Sequence, residues 1–267
     1  KDEKSSFLFD AAHSDEVFFL AWTTTPWTLP SNLGLTVGAN INYVLVQTFN
    51  PYTHLPINVV LAEALIHAYF KAEDENGDFE GYSSATKKLP WKILREFKGK
   101  DLETITYEQL LPFEANSPEA IREITPGARP FRIMLGDFVT TDDGTGIVHT
   151  APAFGADDYK VGKKYGLGIL TLVDREGKFI EGVGEFSNRY VKNYKDEKDY
   201  ADVNVDIAVK LKKENRAFRI EKYEHNYPHC WRTDKPVLYY PLNAWFIKTT
   251  ALRDRMVELN KTINWKP

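Results

Sequence analysis

Cysteine is nearly absent: Cys230 is the only one in 267 residues. An intrachain disulfide framework is therefore excluded, and a reducing compartment, the cytoplasm, is the simplest expectation. No apolar stretch approaches the roughly 18 residues of a membrane span, so no membrane association is expected. The opening KDEKSS is charged and no signal-peptide pattern follows it. The chain also lacks an initiator Met and stops at INWKP, so we expect a fragment of something longer. Nucleotide motifs are missing too: there is no Walker A loop, no GxGxxG fingerprint and no GxSxG elbow. The glycines of DDGTGIVH, residues 142–149, come without a lysine for phosphates. Neither charge sign dominates, with 34 Lys plus Arg against 38 Asp plus Glu and a net charge of -4. That balance argues against a bulk nucleic-acid binder but leaves room for a local basic face. The donors His225, His229 and Cys230 in HNYPHC suit zinc, but no further Cys or His lies nearby to complete four ligands. No metal site is expected, and nothing marks a base and an orienter that would make Cys230 a nucleophile.

What is present is a chain 43% hydrophobic, enough for a real core in one large domain or two modest ones. VFFLAWTTT, from Val17, and NYVLVQTF, from Asn42, read as strands. NVVLAEALIHAYF, from Asn58, reads as a helix, because Leu61, Leu65 and Ala68 recur at helical spacing. The polar, lysine-rich residues 71–104 read as a surface excursion, with DENGD as a turn. LETITYEQLLPF returns to strand-like material. Further strands are expected around Ile133, around Phe138 and Val139, and through Ile147 and Val148, with a turn at Asp142, Asp143 and Gly144. GADDYKVGKKYG begins a helix with Asp157 and Asp158 in its first turn, and ADVNVDIAVKLKKENR is a second, amphipathic one. From His225 onward the chain is dense in proline and aromatics and ends in a helix-like stretch. The steady alternation of a doubly wound sheet is missing, so the pattern is a strand-rich mixed α/β domain.

Two stretches could carry chemistry. WTTTPWTLPSN, Trp22 to Asn32, places four threonines and no charge where a surface loop is expected. Thr23 and Thr25 would share a face if the strand continued. The run is either strand propensity or a set of hydroxyls for sugar and base edges, as single-stranded RNA ends are gripped. GTGIVHTAPAFGADDY carries His149 at a strand end and Asp157 and Asp158 at a helix start. One carboxylate could bind an ammonium group and the other cap the helix. His149 could be a base, a hydrogen-bond donor or a pocket wall.

These two stretches, with the order of ITPGARPFRIMLGDFV, FSNRYV and HNYPHCWRTDKPVLY, resemble the editing domain inserted in isoleucyl-tRNA synthetase, a class I aminoacyl-tRNA synthetase. The resemblance covers essentially the whole chain. Valyl members typically carry a Thr-Arg-Pro-Glu-Thr type peptide and leucyl members an Arg-Pro-Asp peptide at the first stretch. Here it is Thr24-Thr25-Pro26-Trp27-Thr28, which favours the isoleucyl member. Neither the HIGH nor the KMSKS signature of a synthetic site is found. The resemblance implies a mixed α/β fold, strand-rich and barrel-like with peripheral helices. It implies an editing domain over residues 1–224 and a return connector toward the synthetic core over 225–267.

The implied activity is post-transfer proofreading, in which the ester of mischarged Val-tRNA(Ile) is hydrolysed. A pocket gains only about 1–3 kcal/mol from one methylene, which is why a second, size-excluding sieve is needed. By resemblance Asp158 holds the substrate ammonium and His149 lies beside the aminoacyl side chain, helping to exclude isoleucine. Thr23, Thr24, Thr25 and Thr28 line the site around the terminal adenosine and the water, and Asn32 closes that peptide. Gly144 and Gly146 let the backbone pass close to the ligand. The family is substrate-assisted, with a terminal ribose hydroxyl helping to orient the water, so no protein general base is expected. No cofactor or metal is implied for editing; ATP and magnesium belong only to the parent enzyme's synthetic site. The implied partner is tRNA(Ile), held by its 3′ terminal adenosine, with valine as the aminoacyl group and the protein a monomer. Phe154 stands where many bacterial members have a second histidine, and together with the insertion near residues 71–100 it points to the eukaryote-type branch. Basic clusters at Lys87, Lys88, Lys92, Arg95 and Lys98, at Lys160, Lys163 and Lys164, and at Lys210, Lys212 and Lys213 offer surfaces for RNA. The rival readings are an acceptor-end binding insertion without catalysis and a valyl-type site acting on threonine.

Overall fold

A computed structural model describes residues 3–113, 121–195, 197–224 and 226–266. In chain order the elements are α1 (Ser6–Ala12), β1 (Phe18–Phe19), β2 (Gly34–Val37), β3 (Asn42–Phe49), β4 (Pro56–Ala62), α2 (Ile66–Tyr69) and β5 (Lys92–Lys98). There follow β6 (Ile121–Arg122), β7 (Arg132–Leu135), β8 (Ile147–Thr150), α3 (Ala156–Tyr165), β9 (Ile169–Leu170), α4 (Val203–Lys213) and α5 (Arg253–Lys261).

Two sheets form the centre. In the first, strand order β1-β4-β3-β5, the long β3 pairs antiparallel with β4 and β5. In the second, order β7-β2-β8, β2 pairs parallel with β7 and antiparallel with β8. The alternation of side chains along β3 and β4 divides the core. Tyr43, Leu45, Val60 and Ala62 pack in one cluster with Leu35, Val37, Ile133 and Ile147 of the second sheet. Val44, Val46, Val59 and Leu61 face the other way, against Phe70 and Trp91. A third cluster joins Leu33 and Met134 to Val161 of α3 and to Val203, Ile207 and Leu211 of α4.

The expected barrel is not what forms. Both strand orders are open, and among the described residues neither sheet closes on itself or curls strongly. Closure needs strands long enough to tilt and stagger around a ring. Here β1 has two residues and β2, β7 and β8 have four each.

Several local expectations also change. NVVLAEALIHAYF is not one helix: its first half is β4, and the helix is only the turn Ile66–Tyr69. β4 is buried along six of its seven positions, so it shows no polar alternation. A strand covered on both faces is an apolar run whose period cannot be told from a buried helix. The excursion at 71–104 comes back to the core, where β5 forms an edge strand on β3 and Trp91 is fully buried. No strand forms at Phe138, where the chain turns after β7. VFFLAWTTT yields only β1 and a single parallel bridge from Trp22 to Val148. Toward the end, Leu238 and Tyr240 pack on the third cluster, whereas Trp245, Phe246 and the apolar residues of α5 are exposed.

Because Leu45 is completely buried in the middle of β3, Leu45→Ala should lower unfolding free energy by about 2–5 kcal/mol. Val205→Ala, on the exposed side of α4, should change it by less than about 0.5 kcal/mol. Urea titrations of the two variants check the pair.

Candidate functional site

The threonine stretch leaves the strand instead of continuing it. After the Trp22 bridge the chain bends at Thr24 and enters a 3-10 helix, Pro26–Ser31. Pro26 opens it, where a missing N–H costs nothing and the fixed φ helps. The hydroxyls then serve the loop's own backbone. Thr25 N donates to Thr23 Oγ1 at 3.0 Å. The Thr25 carbonyl accepts from Thr28 N at 2.9 Å and from Thr28 Oγ1 at 2.8 Å. Trp27 N donates to Asn204 Oδ1 at 2.9 Å, which ties the loop to the start of α4. The Trp27 indole is buried edge-on against Phe154, with ring centroids 4.8 Å apart. Trp27 therefore anchors the peptide in the core.

The loop roofs a cavity of about 330 Å³. Thr23, Thr24, Thr25 and Thr28 line it together with Gly144, Gly146, His149 and Asp158, so eight of the nine residues singled out in the sequence meet here. The ninth, Asn32, lies behind His149. Its Nδ2 is 2.7 Å from His149 Nδ1 and donates to Gly34 O at 2.8 Å, while its Oδ1 accepts from the Tyr107 hydroxyl. The amide orientation so set makes Nδ1 an acceptor and leaves the ring proton on Nε2, an assignment drawn from the network. Nε2 is 3.1 Å from Thr28 Oγ1, whose own proton goes to the Thr25 carbonyl. Burial holds the His149 pKa down to about 4. The imidazole is thus neutral near pH 7, with both nitrogens engaged, and of the roles open to it those of donor and wall fit better than that of base.

Asp158 sits in the first turn of α3, and its Oδ2 accepts from Ala151 N at 2.8 Å. Burial raises its pKa from 3.8 to about 6, with neighbouring Asp157 adding to the rise. Among the described residues no cation stands in ion-pair range of it. Asp157 differs: it is exposed and pairs with Lys160 at 3.0 Å, a contact of small energetic value. Gly144 and Gly146 have φ of +72° and +73°, conformations that favour glycine. Their close neighbours are the protein's own Trp22 ring and Ala62, the latter only 2.5 Å from where a Gly146 Cβ would stand.

Sequence reading missed Trp22, Phe138, Thr140 and Asp143 as lining residues. Asp143 was visible only as turn chemistry; it also accepts from Tyr223 at 2.9 Å. Tyr107 carried no sequence signal, lying 75 residues from its partner Asn32. Among the described residues no group of three metal-binding side chains occurs, and no helix is long and apolar enough to cross a membrane. His225 of the weak zinc cluster lies outside the described residues. Of the basic clusters, Lys163 and Lys164 are exposed beside α3's own tyrosines, whereas Lys210 is spent on Glu214 at 2.7 Å.

The two shifted groups set opposite pH slopes. Asp158 binds its proton more tightly folded than unfolded, so its ionisation costs stability as pH rises from 3.8 to about 6. His149 binds its proton less tightly folded, so its contribution is complete above 6.5 and is lost as pH falls toward 4. Asp158→Asn should therefore be more stable than wild type at pH 7.5, by about 1–3 kcal/mol. The gap should close near pH 4, and the variant should lose stability more steeply on acidification. Urea midpoints across that range check it.

No family model matches the chain. Curated relatives do. The isoleucine--tRNA ligase of Cytophaga hutchinsonii is 52% identical over 277 aligned residues, covering 95% of this chain and 24% of that protein. That of Bacteroides fragilis is 48% identical over 280, covering 94% and 24%. That of Thermoplasma acidophilum is 40% identical over 268, covering all of this chain and 22% of that protein. Among solved structures, the cytosolic leucyl-tRNA synthetase editing domains of P. falciparum and P. knowlesi overlay part of the chain. Their TM-scores are 0.38 and 0.39, with 18% and 15% identity and 61% and 56% of this chain covered, against 55% and 51% of theirs. The eukaryote-type branch finds no support in these relatives, since Cytophaga and Bacteroides are bacteria. The chain spans about a quarter of the length of the curated relatives it matches, and it is homologous to that segment of the isoleucine--tRNA ligases.

Proposed function

We propose that this chain is the post-transfer editing part of an isoleucine--tRNA ligase, acting in the cytoplasm as a monomer unit on mischarged Val-tRNA(Ile). Residues 1–224 form the editing unit and 225–267 the connector returning to a synthetic core. The observation that carries the reading is Asp158: a carboxylate lifted in pKa by burial, without a cation partner among the described residues, on a cavity lined with threonine hydroxyls.

A substrate α-ammonium would complete that pair. It offsets the desolvation already spent on the carboxylate, and the interaction is strongest where water is excluded. The Thr23–Thr28 loop receives the terminal ribose and adenine. Water attacks the ester carbonyl carbon, the bond to the ribose oxygen breaks, and that oxygen leaves with a proton. Positioning and oxyanion stabilisation by fixed dipoles serve such a step better than a strong protein base. His149, neutral and engaged at both nitrogens, forms the wall beside the aminoacyl group. An isoleucyl side chain, larger by one methylene, meets that wall.

The test is deacylation of Val-tRNA(Ile) beside Ile-tRNA(Ile). The valyl ester should be cleaved selectively, and Asp158→Ala should lose at least about 100-fold in rate while remaining folded. Binding of tRNA without turnover would replace this reading with an acceptor-end binding insertion. His149→Ala should raise isoleucyl relative to valyl hydrolysis by about tenfold; unchanged discrimination removes His149 as the steric wall.

A further inference from the structure

A hydrogen-bonded line runs from outside the cavity to the threonine loop, and its outermost member is a residue that no motif marks. The Tyr107 hydroxyl, kept protonated by burial that raises its pKa, donates to Asn32 Oδ1. Asn32 Nδ2 donates to His149 Nδ1 at 2.7 Å and to the Gly34 carbonyl at 2.8 Å. His149 Nε2 then donates to Thr28 Oγ1 at 3.1 Å, and Thr28 donates to the Thr25 carbonyl at 2.8 Å. Tyr107, His149 and Thr28 each have one proton to give and the Asn32 amide has two. The direction of the line therefore follows the orientation of that amide, held by the Tyr107 donor at Oδ1 and by the Gly34 and Thr150 carbonyls at Nδ2.

We infer that Tyr107 is a positioning residue for the site: by donating to Asn32 Oδ1 it secures, with the Gly34 and Thr150 carbonyls at Nδ2, the amide orientation that sets the His149 tautomer and thereby the threonine loop. This inference rests on the editing reading for its catalytic consequence, though not for the tautomer. Tyr107 does not line the cavity of Asp158 and the threonines. It and Asn32 line a second, larger cavity of about 560 Å³ on the other side of His149, which borders both. If Asn32 lost its donor and its amide turned over, Oδ1 would face Nδ1 and draw the ring proton there. Nε2 would then accept from Thr28, and the Thr25 carbonyl would lose the hydroxyl bond and keep only the one from Thr28 N. Tyrosine supplies the donor that Oδ1 receives here; phenylalanine would fill the same space without it, supported on one side by the edge-on Phe131 ring at 6.4 Å.

The experiment reads ring nitrogen shifts of His149 by long-range 15N NMR, with the signal among the six histidines identified by its loss in His149→Gln. Wild type should show a bare Nδ1 and a protonated Nε2. Tyr107→Phe should bring up the form protonated on Nδ1 and should lower kcat for the valyl ester about tenfold, with KM within about twofold, as the loss of one oriented hydrogen bond would do. Asn32→Asp, which can only accept, should convert the ring fully to the Nδ1-protonated form. Wild type already protonated on Nδ1 overturns the inference. So does Tyr107→Phe with an unchanged tautomer, whatever its kcat, and so does a changed tautomer with wild-type kcat. If wild type itself hydrolyses no ester, the editing reading fails, while the nitrogen shifts still decide whether Tyr107 sets the tautomer.

Discussion

The site depends on the pairing of β8. On one side β8 runs antiparallel to β2, with Leu35 opposite His149 and Gly34 opposite Thr150. On the other, Val148 is bridged by Trp22 at the start of the threonine loop. A slip of one residue would turn His149 to the opposite face of the sheet, away from Asn32 and Thr28. The register is held by buried groups on both faces. Ile147 is in the core between the sheets, and Thr150 shares a 2.7 Å hydrogen bond with Thr36 on the reverse face. A strand of four residues therefore fixes His149 and the Thr28 end of the loop together. Past its end, the chain reaches α3 through Ala151, whose N–H holds Asp158.

Energetically the site sets two titratable groups against solvent in opposite senses. Burial makes Asp158 a weaker acid and His149 a weaker base. The histidine is neutral near pH 7 and its nitrogens are matched within the fold, so it has settled its account locally. The carboxylate is met by backbone N–H groups, those of Ala151 and of Asp158 itself, and by no cation among the described residues. Of the two, only Asp158 retains an electrostatic demand that a ligand could meet, and that asymmetry separates a binding group from a framework group.

Legibility in the sequence followed how locally each feature is determined. The start of α3 was readable because Gly155 and the acids Asp157 and Asp158 fall within four consecutive residues and first-turn acids have a local cause. β3 was readable as NYVLVQTF because a β-branched and aromatic run bounded by turns is local too. β4 was not, because its burial on both faces comes from α2, β5 and the second sheet, which no window of sequence contains. Closure into a barrel was wrong for a related reason: it depends on strand lengths and stagger, which the apolar pattern does not specify. In the site, the nine marked residues came from two short peptides. Tyr107 stayed hidden because its role lies in a contact across 75 residues with Asn32.

Phe154 sharpens the chemical consequence. It lines the cavity and packs on Trp27 at 4.8 Å, so it contributes shape and anchors the loop, and its ring can neither accept nor donate a proton. His149 has both nitrogens engaged, and the Thr28 hydroxyl proton is directed to the Thr25 carbonyl. Among the lining side chains described, the carboxylates of Asp158 and Asp143 are then the strong proton acceptors. Asp143 is already occupied by Tyr223 and by its own neighbour's N–H. On the editing reading Asp158 is committed to the substrate ammonium. On that same reading, the cavity holds and orients an ester without offering a free base among its described side chains, and the orientation of the water falls to a group the substrate brings with it.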